Sequence, residues 1–235
     1  MKIKSAAAGI AFLGLVSLGE GCAAPQDAGP PMETPNPPGM TGGPGTNTDY
    51  PMAKPGFNVG DQVANLSFLA KVHGAQDTGQ SPIKETLADF YAMRKQGAKL
   101  LFLSGAAEWC GPCNQEADGL VQALQDQGYM DAVKVYHKDT DTADAIQIVQ
   151  VVLQNNDGSP SDRDTIDRWT KSHKMTFEIG IDPKSDVSTY IPANTIPQSL
   201  FIRLSDMTLL GRNNGYPGTA GIISSLESYL KTAAK

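Results

Sequence analysis

The sequence predicts an α/β protein with a central mixed sheet and helices on both faces of that sheet. Short apolar runs alternate with amphipathic stretches from about residue 57 onward. A few polar residues separate the last two apolar runs, which is typical of a hairpin. A strand–helix–strand–helix order followed by a hairpin and a final helix fits a layered α/β domain.

The elements of the first half are read from their hydrophobic periods. Residues 85–97, ETLADFYAMRKQG, have apolar residues at helical spacing, and Gly97 is a good stop. Residues 99–104, KLLFLS, form a short apolar run, as expected of a strand buried on both faces. Residues 113–128 place apolar side chains on one helical face. For residues 129–144 three interpretations remain: an extension of the preceding helix, an extra strand or an inserted loop.

The second half contains elements with clear strand or helix periods. Ile166 and Trp169 are expected to face inward from their helix. The predicted elements are a strand over 145–153, a helix over 161–174, a strand over 177–181, a hairpin of strands 198–204 and 208–212 around Ser205–Asp206–Met207, and a helix over 220–231.

The first 21 residues have the pattern of a signal peptide. Lys2 and Lys4 precede an uncharged apolar run over residues 5–18, which is too short for a comfortable membrane span. Cys22 follows and resembles the lipidated cysteine of a bacterial lipoprotein. The chain is therefore expected to be exported and lipid-anchored, facing the periplasm or the cell exterior of a bacterium.

The lipoprotein pattern is imperfect, so two alternatives stay open. Leu18 lies four residues before Cys22, one more than the signal prefers, and Glu20 intrudes between them. Ordinary cleavage after Ala24 would also export the chain, although Pro25 would then become its first residue. A retained membrane anchor is the other alternative.

Residues 22–56 are expected to be a disordered linker. The stretch 23–56 contains nine prolines and six glycines and almost no bulky apolar residues, so it cannot build a core. A linker of this kind would hold a folded domain, predicted over residues 57–235, away from a membrane.

Charge and cysteine content limit the possible functions. The net charge of −6 and the pI near 5.0 argue against a nucleic-acid partner, which needs a basic surface. Thiols tend to pair outside the cytoplasm. Cys110 and Cys113 would close only a tiny loop, which stabilises a fold little, so this pair is expected to do chemistry.

The string AEWCGPC, residues 107–113, resembles the active site of thioredoxin-like proteins. The resemblance covers roughly residues 57–233. The signal, the proline-rich spacer and the extra elements make the chain look most similar to exported, membrane-tethered TlpA and ResA types within the wider redoxin group, which includes AhpC/TSA-like proteins. It implies a thioredoxin-like fold with the motif between a buried strand and a helix.

The chemistry of the pair follows from thiolate reactivity. Cys110 would lie at a helix N-terminus, where the helix dipole and free N–H groups favour the nucleophilic thiolate. Cys113, one turn later, would be more buried and would resolve the mixed disulfide. Gly111 is expected to permit a tight entry, and Pro112 needs no N–H donor in the first turn.

The resemblance also assigns roles to residues around the pair. Pro197 would follow a cis peptide bond and face the cysteines, with Pro192 as its local competitor. Ile196 would offer its backbone to an extended substrate, and Trp109 would shape the groove. The resemblance implies reduction of protein disulfides, with no cofactor and no metal. A membrane thiol carrier is the hypothesised electron donor.

Two positions depart from thioredoxin. Ser104 stands where thioredoxin has a buried Asp that moves protons, so Glu108 or water is expected to take that role. Glu108 is nevertheless interpreted chiefly as a solvent-facing carboxylate. Asn114 stands where thioredoxin often has Lys, which removes one positive charge near the thiolate.

Rival functions are weaker matches to the sequence. Structural zinc needs four ligands, and none of the three histidines lies in a paired motif, so His173 is interpreted as a surface or capping residue. A peroxidase needs Pro and Thr where Leu103 and Ala107 stand, and a copper chaperone uses a Cys-x-x-x-Cys spacing. DTDTAD, residues 139–144, lacks the glycine and distal Glu of a calcium loop. A disulfide donor or isomerase and a non-catalytic tethered module remain alternatives.

Overall fold

The computed structural model describes residues 49–51, 55–71, 81–125 and 145–235. All of these residues belong to one compact unit, Gly42–Lys235. The predicted signal peptide, Cys22, most of the predicted linker and the whole open segment 129–144 lie outside the described residues.

The described residues form one mixed seven-stranded sheet with the order β2-β1-β5-β4-β3-β6-β7. The central pairs β3–β4 and β4–β5 are parallel, and the other neighbours are antiparallel. The strands are β1 (Ser67–Lys71), β2 (Ile83–Thr86), β3 (Leu100–Ala107), β4 (Ile146–Gln154), β5 (Glu178–Ile181), β6 (Gln198–Arg203) and β7 (Thr208–Asn214).

Four α-helices are described, and short 3₁₀ turns lie at Arg94–Gln96, Val187–Thr189 and Ala193–Thr195. The helices are α1 (Leu87–Met93), α2 (Gly111–Gln125), α3 (Arg163–His173) and α4 (Thr219–Ala233). Asp162 caps α3 by accepting a hydrogen bond from the Thr165 N–H at 3.0 Å. No described helix combines the length and the apolar character needed to cross a bilayer.

Strand β3 shows how the sheet separates two apolar layers. Leu100 and Phe102 pack in a cluster with residues of α2, α3 and α4, whereas Leu101 and Leu103 pack in a second cluster with residues of α1. Successive side chains of a strand point to opposite faces, so a strand buried on both sides is apolar throughout. The helices therefore cover both faces, as the sequence predicts.

Element types agree with the predictions, but several boundaries differ. The predicted helix 85–97 starts only at Leu87, because Thr86 ends β2 and caps the helix. It passes into a 3₁₀ turn that ends at Gly97, whose φ of 107° suits glycine. Helix α2 begins at Gly111, two residues before its predicted start. The hairpin of β6 and β7 is confirmed.

Two strands and one packed aromatic residue were not predicted. Strands β1 and β2 form one edge of the sheet, where β2 is half exposed and so lacks a clean apolar pattern. Tyr50 is buried, and its hydroxyl donates to the Val63 carbonyl at 2.8 Å. The packed part of the chain thus includes residue 50, while the boundary at residue 57 stays a prediction.

Candidate active site

Cys110 and Cys113 form a disulfide at the junction between β3 and α2. Strand β3 ends at Ala107, and the Cys110 N–H donates to the Ala107 carbonyl at 3.1 Å, which closes a tight turn before the helix. Cys113 is fully buried and Cys110 is 4% exposed. The pair therefore lies between a buried strand and the N-terminus of a helix, as the sequence predicts.

Cys110 occupies the N-cap position of α2. Its carbonyl accepts from the N–H groups of Cys113 and Asn114 at 3.0 and 3.1 Å, and its Sγ accepts from the Cys113 N–H at 3.2 Å. A cap side chain normally places an oxygen there to bind the N–H of the third helical residue. The Cys110 sulfur therefore lies where the helix best stabilises negative charge.

Gly111 and Pro112 are exposed in the first turn of α2. An added Cβ at Gly111 would meet no atom within 4 Å, and Gly111 has no positive φ, so neither space nor a left-handed backbone calls for glycine at this entry to the helix. Trp109 is 48% exposed and donates from Nε1 to Gln154 Oε1 at 3.0 Å. An open aromatic surface thus lies beside the disulfide.

The Ile196–Pro197 peptide bond is cis, as the resemblance implies. Gln198 pairs with Gly105 of β3, so Pro197 lies at the end of the sheet that carries the cysteines. Ile196 is partly buried and packs against the cluster that contains both cysteines. Pro192, the competing proline, precedes a 3₁₀ turn in extended trans geometry.

A buried carboxyl group, Glu116, was missed in the sequence. It is 1% exposed and lies one helical turn after Cys113 on the same side of α2. Its oxygens accept from Ser104 Oγ at 2.5 Å, Ser199 Oγ at 2.9 Å and Gln150 Nε2 at 3.4 Å. A glutamate on the apolar face of an amphipathic helix was the available signal.

The surroundings of Glu116 favour its neutral form. Burial raises the pKa of the Glu116 carboxyl above its usual value, although hydrogen bonds from Ser104, Ser199 and Gln150 act in the opposite direction. The carboxyl group comes from the helix but binds Ser104, the position at which thioredoxin carries its Asp. A titratable carboxyl group is therefore present beside β3 despite that departure.

The side chain of Glu108 is not solvent-facing, contrary to the interpretation of the sequence. It is 11% exposed, and its two oxygens accept from Arg168 Nε at 2.9 Å and Arg168 Nη2 at 3.2 Å. Oε2 also accepts from the Asn156 N–H at 3.1 Å. These contacts tie the turn before Cys110 to α3 and to the segment after β4, and a proton-transfer role for Glu108 stays a prediction.

A small polar cavity lies beside this turn. Its volume is about 100 Å³, and it is lined by Glu108, Asn114, Asn156, Trp169, Ser172 and His173. His173, interpreted as a surface or capping residue, does end α3, but its side chain is not on the surface: it is 8% exposed and packs on Trp169 with ring centroids 4.4 Å apart. It reaches α2 through Asp118 and Asn114.

No three His, Cys, Asp or Glu side chains are placed to share a metal ion within the described residues. His73, His137 and the acidic stretch 139–144 lie outside those residues.

No family model and no curated protein matches the chain, whereas several solved structures do. A putative thiol:disulfide interchange protein DsbE from Chlorobium tepidum is 19% identical, with a TM-score of 0.51 over 77% of this chain and 100% of that chain. The mitochondrial 2-Cys peroxiredoxin from Plasmodium falciparum is 10% identical, with a TM-score of 0.52 over 76% and 98% of the two chains.

A hypothetical protein from Sinorhizobium meliloti 1021 is 14% identical, with a TM-score of 0.52 over 76% of this chain and 87% of that chain. These structures share one architecture with the described sheet and helices. The protein has a thioredoxin-like α/β fold, which confirms the predicted fold class.

Proposed function

We propose that the protein is an exported thiol–disulfide oxidoreductase that reduces protein disulfides outside the cytoplasm. The observation that carries the proposal is the Cys110–Cys113 disulfide, with the Cys110 sulfur at the N-cap of α2. A shared fold alone does not select the reaction, because a peroxiredoxin has it too. The residues at the site favour dithiol exchange.

In the first step, the Cys110 thiolate of the reduced protein attacks one sulfur of a substrate disulfide. A bond forms between Cys110 Sγ and that sulfur, and the other substrate sulfur leaves as a thiolate that takes a proton from water. The helix N-terminus, including the Cys113 N–H, favours the attacking thiolate.

In the second step, Cys113 resolves the mixed disulfide. We assign Glu116 as the group that accepts the Cys113 proton, because it lies one turn away on the same helical side in a buried, hydrogen-bonded position. The Cys113 thiolate attacks Cys110 Sγ and releases the second substrate thiolate. The dithiol is oxidised by two electrons, and the substrate disulfide is reduced.

Substrate would lie over the exposed first turn of α2. Trp109, Gly111 and Pro112 form the open surface on one side, and the Ile196 backbone before Pro197 would bind an extended peptide from the other. The buried Cys113 requires that the substrate meet Cys110 first.

Export and anchoring rest on the sequence, through the signal pattern over residues 1–21 and the lipidation candidate Cys22. A reductase outside the cytoplasm must be re-reduced, so a membrane thiol carrier is the proposed electron donor. No nucleic acid and no cofactor enter the scheme.

The test is the reduction potential of the Cys110–Cys113 pair, measured by thiol labelling after equilibration in redox buffers. The Cys22→Ser variant serves as the background so that a third thiol does not react. A potential near about −270 mV supports the reductase, whereas one near about −120 mV supports a disulfide donor or isomerase. A pair that does not cycle supports a non-catalytic tethered module.

Replacing each cysteine separately distinguishes the two roles. In the Cys22→Ser background, Cys110→Ser is expected to abolish turnover of a disulfide substrate. Cys113→Ser is expected to stop after the first step and to retain a covalent substrate adduct, because no resolving thiol remains. Mass spectrometry under non-reducing conditions detects the adduct, and its appearance on Cys110→Ser instead would contradict the assignment.

A further inference from the structure

A chain of hydrogen bonds joins His173 at the end of α3 to the turn that carries Cys110. Asn114 Nδ2 donates to the Glu108 carbonyl at 3.1 Å and to the Cys110 carbonyl at 2.8 Å. Asn114 Oδ1 lies 3.1 Å from His173 Nε2, and His173 Nδ1 lies 2.8 Å from Asp118 Oδ1. Helix α3 therefore reaches the redox turn through one amide side chain.

The orientation of the Asn114 amide follows from its partners. Two backbone carbonyls accept at one end of the amide, so the NH₂ group must be at that end. A flipped amide would place its oxygen against both carbonyl oxygens. The oxygen of Asn114 therefore faces His173 and acts as an acceptor.

The protonation of His173 follows in turn. One ring nitrogen faces the Asn114 oxygen and the other faces the Asp118 carboxylate, and both partners only accept hydrogen bonds. A neutral imidazole has one donor nitrogen and one acceptor nitrogen, so it satisfies only one of these contacts. A hydrogen bond to the Asn114 oxygen therefore requires that Nε2 carries a proton.

Charged and aromatic side chains surround His173. Asp118 on α2 contacts it directly, and Glu108 lines the same cavity. The Arg168 guanidinium on α3 is already paired with Glu108. The ring also packs on Trp169, which limits its movement.

We propose that His173, held by Asp118, is a positioning residue that donates from Nε2 to the Asn114 oxygen and so fixes the Asn114 amide and the turn carrying Cys110. This inference rests on the proposed redox function. Without this donor the Asn114 oxygen has no partner at the position of His173, so the amide is held less firmly. In the reduced protein, where no S–S bond holds the sulfur, Cys110 Sγ is then held less firmly against the Cys113 N–H.

The first experiment observes the ring nitrogens of His173 directly and does not depend on catalysis. In the folded, full-length Cys22→Ser protein, ¹⁵N chemical shifts of His173 are expected to show that Nε2 carries a proton, as the bond to the Asn114 oxygen requires. A His173 ring whose Nε2 is unprotonated would overturn the proposal.

The second experiment measures the rate of Cys110 alkylation in the reduced protein against pH. His173→Leu keeps apolar packing on Trp169 but removes the donor, and is expected to slow alkylation roughly three- to tenfold, the range of one hydrogen bond. His173→Gln can still donate to Asn114, so it is expected to restore the rate. Ser172→Ala, at the same cavity, is the matched control and is expected to change nothing.

A double-mutant cycle tests whether His173 acts through Asn114. Asn114→Ala alone is expected to slow alkylation as His173→Leu does, and the double variant is expected to be no slower than either. Independent, multiplying effects would overturn the proposal. If the parent protein alkylates and cycles as expected here but reduces no disulfide substrate, the proposed function fails and this inference stands.

Discussion

Cys110 is both a helix cap and the candidate nucleophile. A serine or aspartate at an N-cap stabilises the helix through its oxygen, and here a sulfur takes that place. The contact stabilises the reduced site most when the sulfur is charged. The same geometry that begins α2 therefore prepares the residue for attack on a disulfide.

The proposed role of Glu116 comes at some cost in the stability of the fold. A buried carboxyl group that is neutral adds little cost, but its ionised form must be desolvated. The hydrogen bonds from Ser104 and Ser199 compensate only part of this cost, and the pKa of Glu116 stays above its usual value.

Glu116→Gln is expected to slow resolution by roughly a hundredfold, at the lower end of general acid–base contributions, because the amide cannot accept the Cys113 proton. The measurement is the decay of a preformed mixed disulfide on Cys110, followed against pH. Attack by Cys110 should be nearly unchanged, since Glu116 takes no part in it. An unaltered decay rate would exclude the assigned role.

Ser199→Ala is the companion variant. It removes a hydrogen bond that lowers the pKa of Glu116, so the pH profile of resolution is expected to move to higher pH. A shift in the other direction would show that a different group controls the step.

At the element scale, α2 is fixed against α4 by close approach at Gly119. A Cβ added there would lie 2.4 Å from Tyr216 Oη, and this hydroxyl already contacts Thr219 Oγ1 at 3.1 Å. Glycine inside a helix costs about 1 kcal/mol relative to alanine. The contact with the start of α4 explains its presence.

Gly119→Ala is expected to lower the free energy of unfolding by about 1–2 kcal/mol, because the overpacking penalty exceeds the gain in helix propensity. Urea unfolding of the oxidised protein measures the change. In a Tyr216→Ala background the same substitution should become neutral or stabilising. A destabilisation of equal size in both backgrounds would contradict the packing explanation.

At the scale of the whole molecule, buried and exposed carboxyl groups act in opposite directions. Burial, a hydrogen bond with Glu85 and the charges of Glu85 and Asp89 raise the pKa of Glu178 well above its usual value. The pKa of Glu116 is also raised. Hydrogen bonds from Ser159 lower the pKa of Asp157. At Asp206, hydrogen bonds from Arg203 and Thr208 lower the pKa by more than burial raises it.

These shifts predict a stability maximum at about pH 4–5. A carboxyl group with a raised pKa contributes stability below its usual value of 4.5, and this is lost as the pH rises through the folded-state value. A group with a lowered pKa contributes stability above its usual value of 3.8, and this is lost as the pH falls.

The measurement is the free energy of unfolding from denaturant titrations between about pH 3 and pH 8. Each unit by which a pKa is raised corresponds to about 1.4 kcal/mol at high pH. Glu178→Gln is expected to flatten the decline above pH 5, about where the raised groups begin to ionise. A decline that is unchanged in this variant would place its origin elsewhere.

Much of the central architecture is predictable because buried elements have strong patterns. Strand β3 is buried at every position and apolar apart from Ser104, and α3 has inward-facing Ile166 and Trp169, both of which are buried. Edge strands are harder to predict from the sequence. Strand β2 exposes both Ile83 and Lys84, so apolar and polar residues do not alternate along it. Boundaries depend on caps such as Thr86, which hydrophobic period does not reveal.

The sequence by itself determined the class of fold and the position of the cysteine pair, because hydrophobic periodicity and a short motif can be recognised from neighbouring residues alone. Only the tertiary structure decided which polar groups surround that pair. Glu116 meets Ser199 across 83 positions, and His173 meets Asn114 across 59. Such contacts depend on the order of the strands and on helix packing, and single-sequence periodicity does not encode them.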